Sequence, residues 1–198
     1  GYLWQLFSMS GLKAGLFTSP HLFSVTERYQ CTDENIRIEM IVSSYKKIKK
    51  NLLASTYEKL SYFEILTLIG LDLYKNLSCQ IVILEIGLGG RLDACNAIEP
   101  IASIVTSIAF DHREYLGKTL NLITKEKLGI CRQDAPLFWG HTNQKDEAYK
   151  SMLEYIKKNK IKTYLRHQDF GLHNEKMYIW HNEYKIKGKR KEINIPKE

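Results

Sequence analysis

Residues 80–86 constrain this chain more than any other stretch. Ile81, Val82, Ile83 and Leu84 form an unbroken apolar run that ends on Glu85. A strand with one wet face alternates apolar and polar side chains, so a continuous run predicts a strand buried on both faces, as in a parallel sheet. A second run lies at 102–108, and shorter strands are expected at 13–17, 136–139 and 162–165. Between them come stretches of helical character. Residues 2–10 read as a helix stopped at Gly11, 62–77 as an apolar helix, 119–128 as a helix stopped at Gly129, and 145–158 as an amphipathic helix. Thr32 is placed to cap a further helix over 33–53, with Ile36, Ile38, Met40, Ile41 and Ile48 among its apolar residues.

Strands alternating with helices imply an α/β fold, a mostly parallel sheet flanked by helices and joined by right-handed crossovers. From about residue 170 the texture changes. Met177, Tyr178, Ile179 and Trp180 on one side of His181, Asn182 and Glu183, with Tyr184, Lys185 and Ile186 on the other, predict a small antiparallel β portion within 170–198. The remainder of 1–198 reads as one domain.

Composition narrows the functional classes. The chain has 198 residues, 44% of them hydrophobic and 26% charged, enough for one sizeable core. Its net charge of +7 comes mostly from lysines in surface-like stretches such as 46–50 and 185–191. That pattern reads as a solvated face. Only 184–191 interleaves lysines with an aromatic, so no nucleic-acid partner is expected. The four cysteines are widely spaced and form no C-x-x-C pair, which argues against zinc and against a disulfide framework and fits a reducing cytoplasm. No apolar run reaches the roughly 18 residues needed to span a bilayer. The chain opens on Gly1 and enters Tyr2, Leu3 and Trp4 with no capping residue, so it is expected to begin inside an element.

Ligands bind at the carboxyl ends of strands in open parallel sheets. Three predicted loops stand there: 15–22, 84–93 and 107–112 with Leu116 and Gly117. In the second, Glu85 closes a buried run, a costly place for a carboxylate unless it is paired or binds a metal. Three glycines follow it, and glycine lets backbone approach a ligand closely. The plainer alternative is a strand end followed by a tight turn. Gly87-Leu88-Gly89-Gly90 is not the spacing of a dinucleotide-binding turn. In the third loop, Asp111-His112 follows a strand and histidine is a common metal ligand, although a loop histidine usually bonds to backbone. Each loop alone is a weak signal.

Together they are specific. The run 15–130 resembles the folylpolyglutamate synthase/dihydrofolate synthase family of the Mur-ligase superfamily. The matching motifs are Gly-Leu-Phe-Thr-Ser-Pro-His-Leu at 15–22, Glu27-Arg28, Tyr62-Phe63-Glu64, and Leu-Glu-Ile-Gly-Leu-Gly-Gly-Arg-Leu-Asp-Ala at 84–94 with Asn96. Thr106-Ser107-Ile108, Asp111-His112, Leu116-Gly117 and Glu126-Lys127-Leu128-Gly129-Ile130 follow in order and register.

The resemblance implies an ADP-forming ligase that joins L-glutamate to dihydropteroate or a folate through an acyl phosphate, with ATP and Mg²⁺ as cofactors. It implies Ser19, Glu85 and His112 as magnesium ligands, converging at the carboxyl edge of one parallel sheet. Lys127 is implied to be carbamylated beside a second metal, and Lys127 and His112 to be catalytic. Ser61, Tyr62, Phe63 and Glu64, with Arg91, Leu92 and Asp93, are implied to line the pterin or folate side. A carbamate needs a neutral amine, which burial favours by penalising the charged form; on residues alone, Lys127 reads as a helix lysine pairing with a neighbouring acid.

Two departures are expected to matter. The family's phosphate loop would fall just before Gly1, and its C-terminal domain would follow Glu198, so the chain is expected to be a truncated central ATP-binding domain that does not turn over ATP alone. Cys95 stands where the family usually has Thr, and Thr124 where it usually has Ala. A soluble cytoplasmic monomer is expected. The alternatives are a non-catalytic binding or scaffold fragment and another Mur-type amino-acid ligase.

Overall fold

The computed structural model describes residues 1–173, 176–179 and 191–193. The chain forms two compact units, 1–88 with 93–97 and 89–92 with 98–198.

In the first unit, helix α1 (Tyr2–Met9) runs into Gly11, whose φ of 83° turns the chain toward strand β1 (Ala14–Phe17). All four β1 residues are buried. β1 is the central strand of its sheet. It pairs antiparallel with β2 (Tyr29–Cys31) and parallel with β3 (Ile81–Leu84), with Phe17 opposite both Tyr29 and Leu84. Helices α2 (Ile38–Asn51), α3 (Ala54–Tyr57) and α4 (Tyr62–Asn76) connect β2 to β3. Leu66, Ile69, Leu73 and Tyr74 of α4 form one core with Phe17, Tyr29, Ile36 and Ile41. The buried tyrosine hydroxyls are satisfied: Tyr74 donates to the Leu16 carbonyl at 2.6 Å and Tyr29 to the Leu66 carbonyl at 2.9 Å.

Two expectations change here. Thr32 does not cap α2. Its hydroxyl lies 2.6 Å from the Ser8 hydroxyl and accepts the Ala14 N–H at 3.2 Å, Asp33 takes a left-handed φ of 59°, and the helix starts at Ile38. The hydroxyl is committed to β1, so it has no lone pair aimed at a first turn. β3 is an edge strand of its sheet and its four residues are only half-buried, not covered on both faces.

In the second unit, β4 (Ser103–Val105), β5 (Leu137–Trp139) and β6 (Thr163–Leu165) form a parallel sheet in that order. Helices α5 (Arg113–Leu116) and α6 (Leu120–Leu128) lie between β4 and β5, and α7 (Glu147–Asn159) lies between β5 and β6. Val105, Ile123, Leu128, Leu137, Trp139, Ala148 and Met152 pack into a second core. Thr124 is fully buried and its hydroxyl finds no hydrogen-bond partner. The expected antiparallel portion is present as β7 (Phe170–His173), β8 (Lys176–Ile179) and β9 (Lys191–Ile193) in that order. The expected turn at His181, Asn182 and Glu183 and the expected strand at Tyr184, Lys185 and Ile186 lie outside the described residues, as does the lysine-rich stretch 184–190.

Among the described residues the hydrogen-bonded ladders form three three-stranded sheets, one mixed, one parallel and one antiparallel. The α/β class stands. All four cysteines are free thiols. Among the described residues, no helix is long and apolar enough to cross a membrane.

Local signals set the helix starts of the second unit. The Thr119 hydroxyl accepts the Leu122 N–H at 3.3 Å, and the Asp146 carboxylate accepts the Tyr149 N–H at 2.9 Å. Each satisfies an otherwise orphaned donor of a first turn. Thr119→Ala is expected to lower stability by about 1 kcal/mol, measured as a reduced urea midpoint at unchanged m-value.

Candidate active site

The parallel pairing of β1 with β3 brings the two following loops together at one sheet end. The Ser19 N–H donates to Glu85 Oε2 at 3.0 Å. Ser19 is half-buried, and Glu85 is exposed rather than buried. Glu85 therefore carries no desolvation cost that a metal would have to offset. Among the described residues this carboxylate is held by one backbone bond, which leaves its other oxygen and the Ser19 hydroxyl available. The Ser19–Pro20 peptide is cis.

The loop after Ser19 has its own fastening, which sequence reasoning left without a role. Glu27 accepts the N–H groups of Leu22 (2.8 Å), Phe23 (2.9 Å) and Ser24 (2.7 Å). Ser24 and Glu27 form a capping box at the start of a short 3₁₀ turn, Val25–Arg28. The spacing Ser-x-x-Glu was a readable signal for it. Arg28, the buried last residue of this turn, donates from Nε to His21 Nδ1 at 2.8 Å. A guanidinium can only donate, so Nδ1 of His21 is an acceptor and its neutral ring carries the proton on Nε2.

The N–H bonds from Leu22, then Ser24 and Phe23, hold the Glu27 carboxyl below the usual carboxylate range. A depressed folded-state value contributes stability that is present above the unfolded value, about 4.3, and is lost as pH falls through the folded value. The gap in urea midpoint between the wild type and Glu27→Gln is therefore expected to be constant from about pH 8 to 5 and to close by about pH 2. A gap that persists at the acid end would show that Glu27 acts without its charge.

The glycine loop of the first unit is organised by Asp93. Its Oδ2 accepts the N–H groups of Gly87 and Leu88, each at 3.0 Å, and its Oδ1 accepts that of Cys95 at 2.9 Å. The Cys95 thiol donates to the Glu85 carbonyl at 3.4 Å, and burial pushes that thiol up to about 12. Gly87 is required by contact: a Cβ there would lie 2.7 Å from the Phe63 ring. Phe63 also packs on Phe17, with ring centroids 5.9 Å apart. Phe63 thus joins the start of α4 to the glycine loop. Ser61 and Glu64 form a capping box on α4, at 3.2 and 2.7 Å, while Tyr62 is largely exposed. The Ser61 hydroxyl and N–H hold the Glu64 carboxyl below its ordinary range.

In the second unit, residues 89–92 lie on α6. The Arg91 N–H donates to the Glu126 carbonyl at 2.9 Å, and Arg91 Nε meets Glu126 Oε1 at 3.0 Å. Gly90 permits this approach, since a Cβ there would meet the Glu126 and Lys127 carbonyl oxygens at 2.8 and 3.1 Å. Arg91 and Lys127, both implied site residues, are brought together here. Lys127 is half-buried, and among the described residues its amine makes no ion pair. Leu92 is exposed. His112 follows β4 with a left-handed φ of 45°, uncommon for a residue with a Cβ, and its carbonyl accepts the Tyr115 and Leu116 N–H groups at 2.9 Å. Its ring is more than half exposed, with Nε2 3.6 Å from Asp111 Oδ2. That distance is too long for a hydrogen bond.

Mg²⁺ takes oxygen ligands and keeps several waters. The Glu85 carboxylate, held by the Ser19 backbone N–H and paired with no cation among the described residues, and the nearby Ser19 hydroxyl are oxygen donors that fit such an ion. Among the described residues, no group of three or more His, Cys, Asp or Glu side chains is arranged to hold a metal. A cavity in the second unit, lined by Cys131, Arg132, Tyr155, Lys158 and Ile161, lies at the amino ends of β5 and β6. His112 follows the carboxyl end of β4, so this cavity is not the candidate site.

No protein-family model matches the chain. The dihydrofolate synthase/folylpolyglutamate synthase of Haemophilus influenzae is 40% identical over 133 residues, covering 67% of this chain and 30% of that protein. The solved bifunctional folylpolyglutamate synthase/dihydrofolate synthase of Yersinia pestis, complexed with AMPPNP and Mn ion, matches with a TM-score of 0.78 at 30% identity, over 90% of this chain and 42% of that one. Escherichia coli FolC in complex with DHPP and ADP matches with a TM-score of 0.76 at 30% identity, over 90% and 42%. The chain spans about a third of the length of the curated relatives it matches. It belongs to the folylpolyglutamate synthase/dihydrofolate synthase family.

Proposed function

We propose that this chain is the central ATP-binding segment of an ADP-forming ligase that joins L-glutamate to dihydropteroate, folylpolyglutamate or both. The observation that carries this reading is the Glu85 carboxylate, fastened to the Ser19 N–H across two parallel strand ends, in a chain whose relatives were solved with AMPPNP and Mn, and with DHPP and ADP. The reaction moves the γ-phosphoryl group of ATP onto the substrate carboxylate, and the amine of glutamate then displaces phosphate from the acyl phosphate. Such a reaction depends on positioning and charge neutralisation.

Mg²⁺ would supply the neutralisation of phosphoryl charge. Ser19, Glu85 and His112 are the residues we assign to hold it. Lys127 is assigned as the carbamylated lysine, a reading supported by its half-buried position and by its backbone carbonyl lying against Gly90 of the 89–92 loop. Phe63 and Asp93, with Ser61, Tyr62, Glu64, Arg91 and Leu92, are assigned to the pterin or folate side. The Phe63 ring against the glycine loop offers a flat apolar wall for a fused aromatic ring. The protein is read as a cytoplasmic monomer without nucleic-acid or membrane partners, and 1–198 as one domain carrying a small β subregion at 170–198.

The test is a chimera in which this chain replaces the matching segment of the Haemophilus influenzae relative. Glutamate-dependent ADP release with dihydropteroate or a folate is expected. A chimera that folds and binds ATP but releases no ADP with either acceptor would overturn the ligase reading and favour a non-catalytic binding segment.

A further inference from the structure

A second histidine at the carboxyl ends of the parallel strands has no part in the reading above. His141 stands two residues after the end of β5, and its side chain is 12% exposed. Its Nε2 lies 2.6 Å from Asp146 Oδ2, and its Nδ1 accepts the Ile108 N–H at 3.4 Å. A backbone N–H can only donate, so Nδ1 must be the bare nitrogen and Nε2 must carry the proton toward Asp146. Asp146 is fixed in turn, because its other oxygen caps α7 through the Tyr149 N–H. The Trp139 ring meets the imidazole edge-on, with centroids 5.9 Å apart. Both nitrogens of this imidazole therefore have protein partners.

Ile108 belongs to the 106–112 loop that ends in His112, and it is the only buried residue of that loop. The neighbouring strand end is fitted to the same loop. The Gly140 N–H donates to the Val105 carbonyl at 2.7 Å, and a Cβ at Gly140 would lie 2.5 Å from the Thr106 carbonyl oxygen. A loop with a single buried side chain is positioned by whatever holds that residue. We propose that His141 is a positioning residue: through Nδ1 it fixes Ile108 and thereby sets the 106–112 loop, and with it the His112 ring, for metal binding. The proposal rests on the reading of His112 as a metal ligand.

Two substitutions separate the nitrogens. In His141→Asn the side-chain oxygen stands near the former Nδ1 and can still accept from Ile108. In His141→Gln the amide nitrogen stands near the former Nε2 and can still donate to Asp146, but nothing accepts from Ile108. On the full 198-residue chain, amide exchange of Ile108 is expected to speed up on the order of tenfold in the Gln variant and to stay near wild type in the Asn variant. Mn²⁺, the metal alone as probe, is expected to bind about tenfold more weakly to the Gln variant only. In the wild type, ¹⁵N shifts of the His141 ring are expected to report a proton on Nε2. A proton on Nδ1, or unchanged Ile108 exchange in the Gln variant, overturns the proposal. Equal losses in both variants that track a lowered urea midpoint overturn it in favour of simple core packing. Unchanged Mn²⁺ binding in His112→Ala would overturn the ligand reading of His112 and the metal part of this proposal, while the Ile108 exchange result reports the loop contact independently.

Discussion

Asp93→Ala is expected to lower stability by about 2–3 kcal/mol and to loosen the glycine loop far more than the rest of the first unit. The carboxylate accepts three backbone N–H groups, from Gly87, Leu88 and Cys95. A hydrogen bond to a charged group contributes about 1.5–3 kcal/mol, but the three are not equal. Gly87 and Leu88 are exposed and would exchange the carboxylate for water, whereas Cys95 is buried and its N–H would be stranded. The estimate is therefore set mostly by Cys95. Asp93→Asn separates the two sides, since an amide offers one accepting oxygen and can serve either Cys95 or the Gly87–Leu88 pair. About half the loss is expected for it. Urea midpoints give the energies, and amide exchange of Leu88 gives the loosening. Protection of Leu88 unchanged in Asp93→Ala would mean that the loop is shaped by the Phe63 contact and not by the carboxylate.

These bonds also mark how far the sequence alone reaches. Elements set by near neighbours were legible. Thr119 caps a helix three residues ahead, Gly11 stops one behind it, and the apolar run at 81–84 is a strand paired in parallel. Ser24 and Glu27 carried a readable capping signal as well. What escaped depends on contacts distant along the chain. Thr32 looked like a cap because a cap needs only a hydroxyl before a helical stretch, yet its hydroxyl is engaged by Ser8 and Ala14. The strand at 29–31 is too short for alternation to register, and it exists because β1 offers it an edge. Glu85 was expected to be buried because its strand is apolar, but apolar character says nothing about whether a strand lies at an edge. Asp93 reaches back five and six residues through a turn without periodicity, and His141 meets Ile108 across 33 residues because β4 and β5 are neighbours. Motifs nominate the residues of the candidate site, while the bonds that hold those residues were illegible in the sequence.

The largest effect is expected at Glu85. In the chimera described above, Glu85→Ala is expected to lower glutamate-dependent ADP release by at least about 100-fold at saturating ATP and to leave the urea midpoint within about 0.5 kcal/mol of the parent. The two halves of this expectation have separate grounds. Glu85 is exposed, and its side chain makes one hydrogen bond, to the Ser19 N–H. Water can replace that bond, so folding loses little. Phosphoryl transfer has no such substitute. If the carboxylate holds the ion that neutralises the phosphates, its removal acts on the transition state directly. Glu85→Gln sharpens the test, because it keeps an acceptor for Ser19 and removes only the charge. It should be as stable as the parent and nearly as inactive as Glu85→Ala. A Gln variant with near-parental activity would assign Glu85 the role of holding the Ser19 loop. A loss of stability as large as the loss of activity would make it a turn residue of the glycine loop. Raising Mg²⁺ provides the last control: partial recovery of rate in the Ala variant is expected if the defect is ion affinity, and a rate indifferent to Mg²⁺ would remove Glu85 from the metal site.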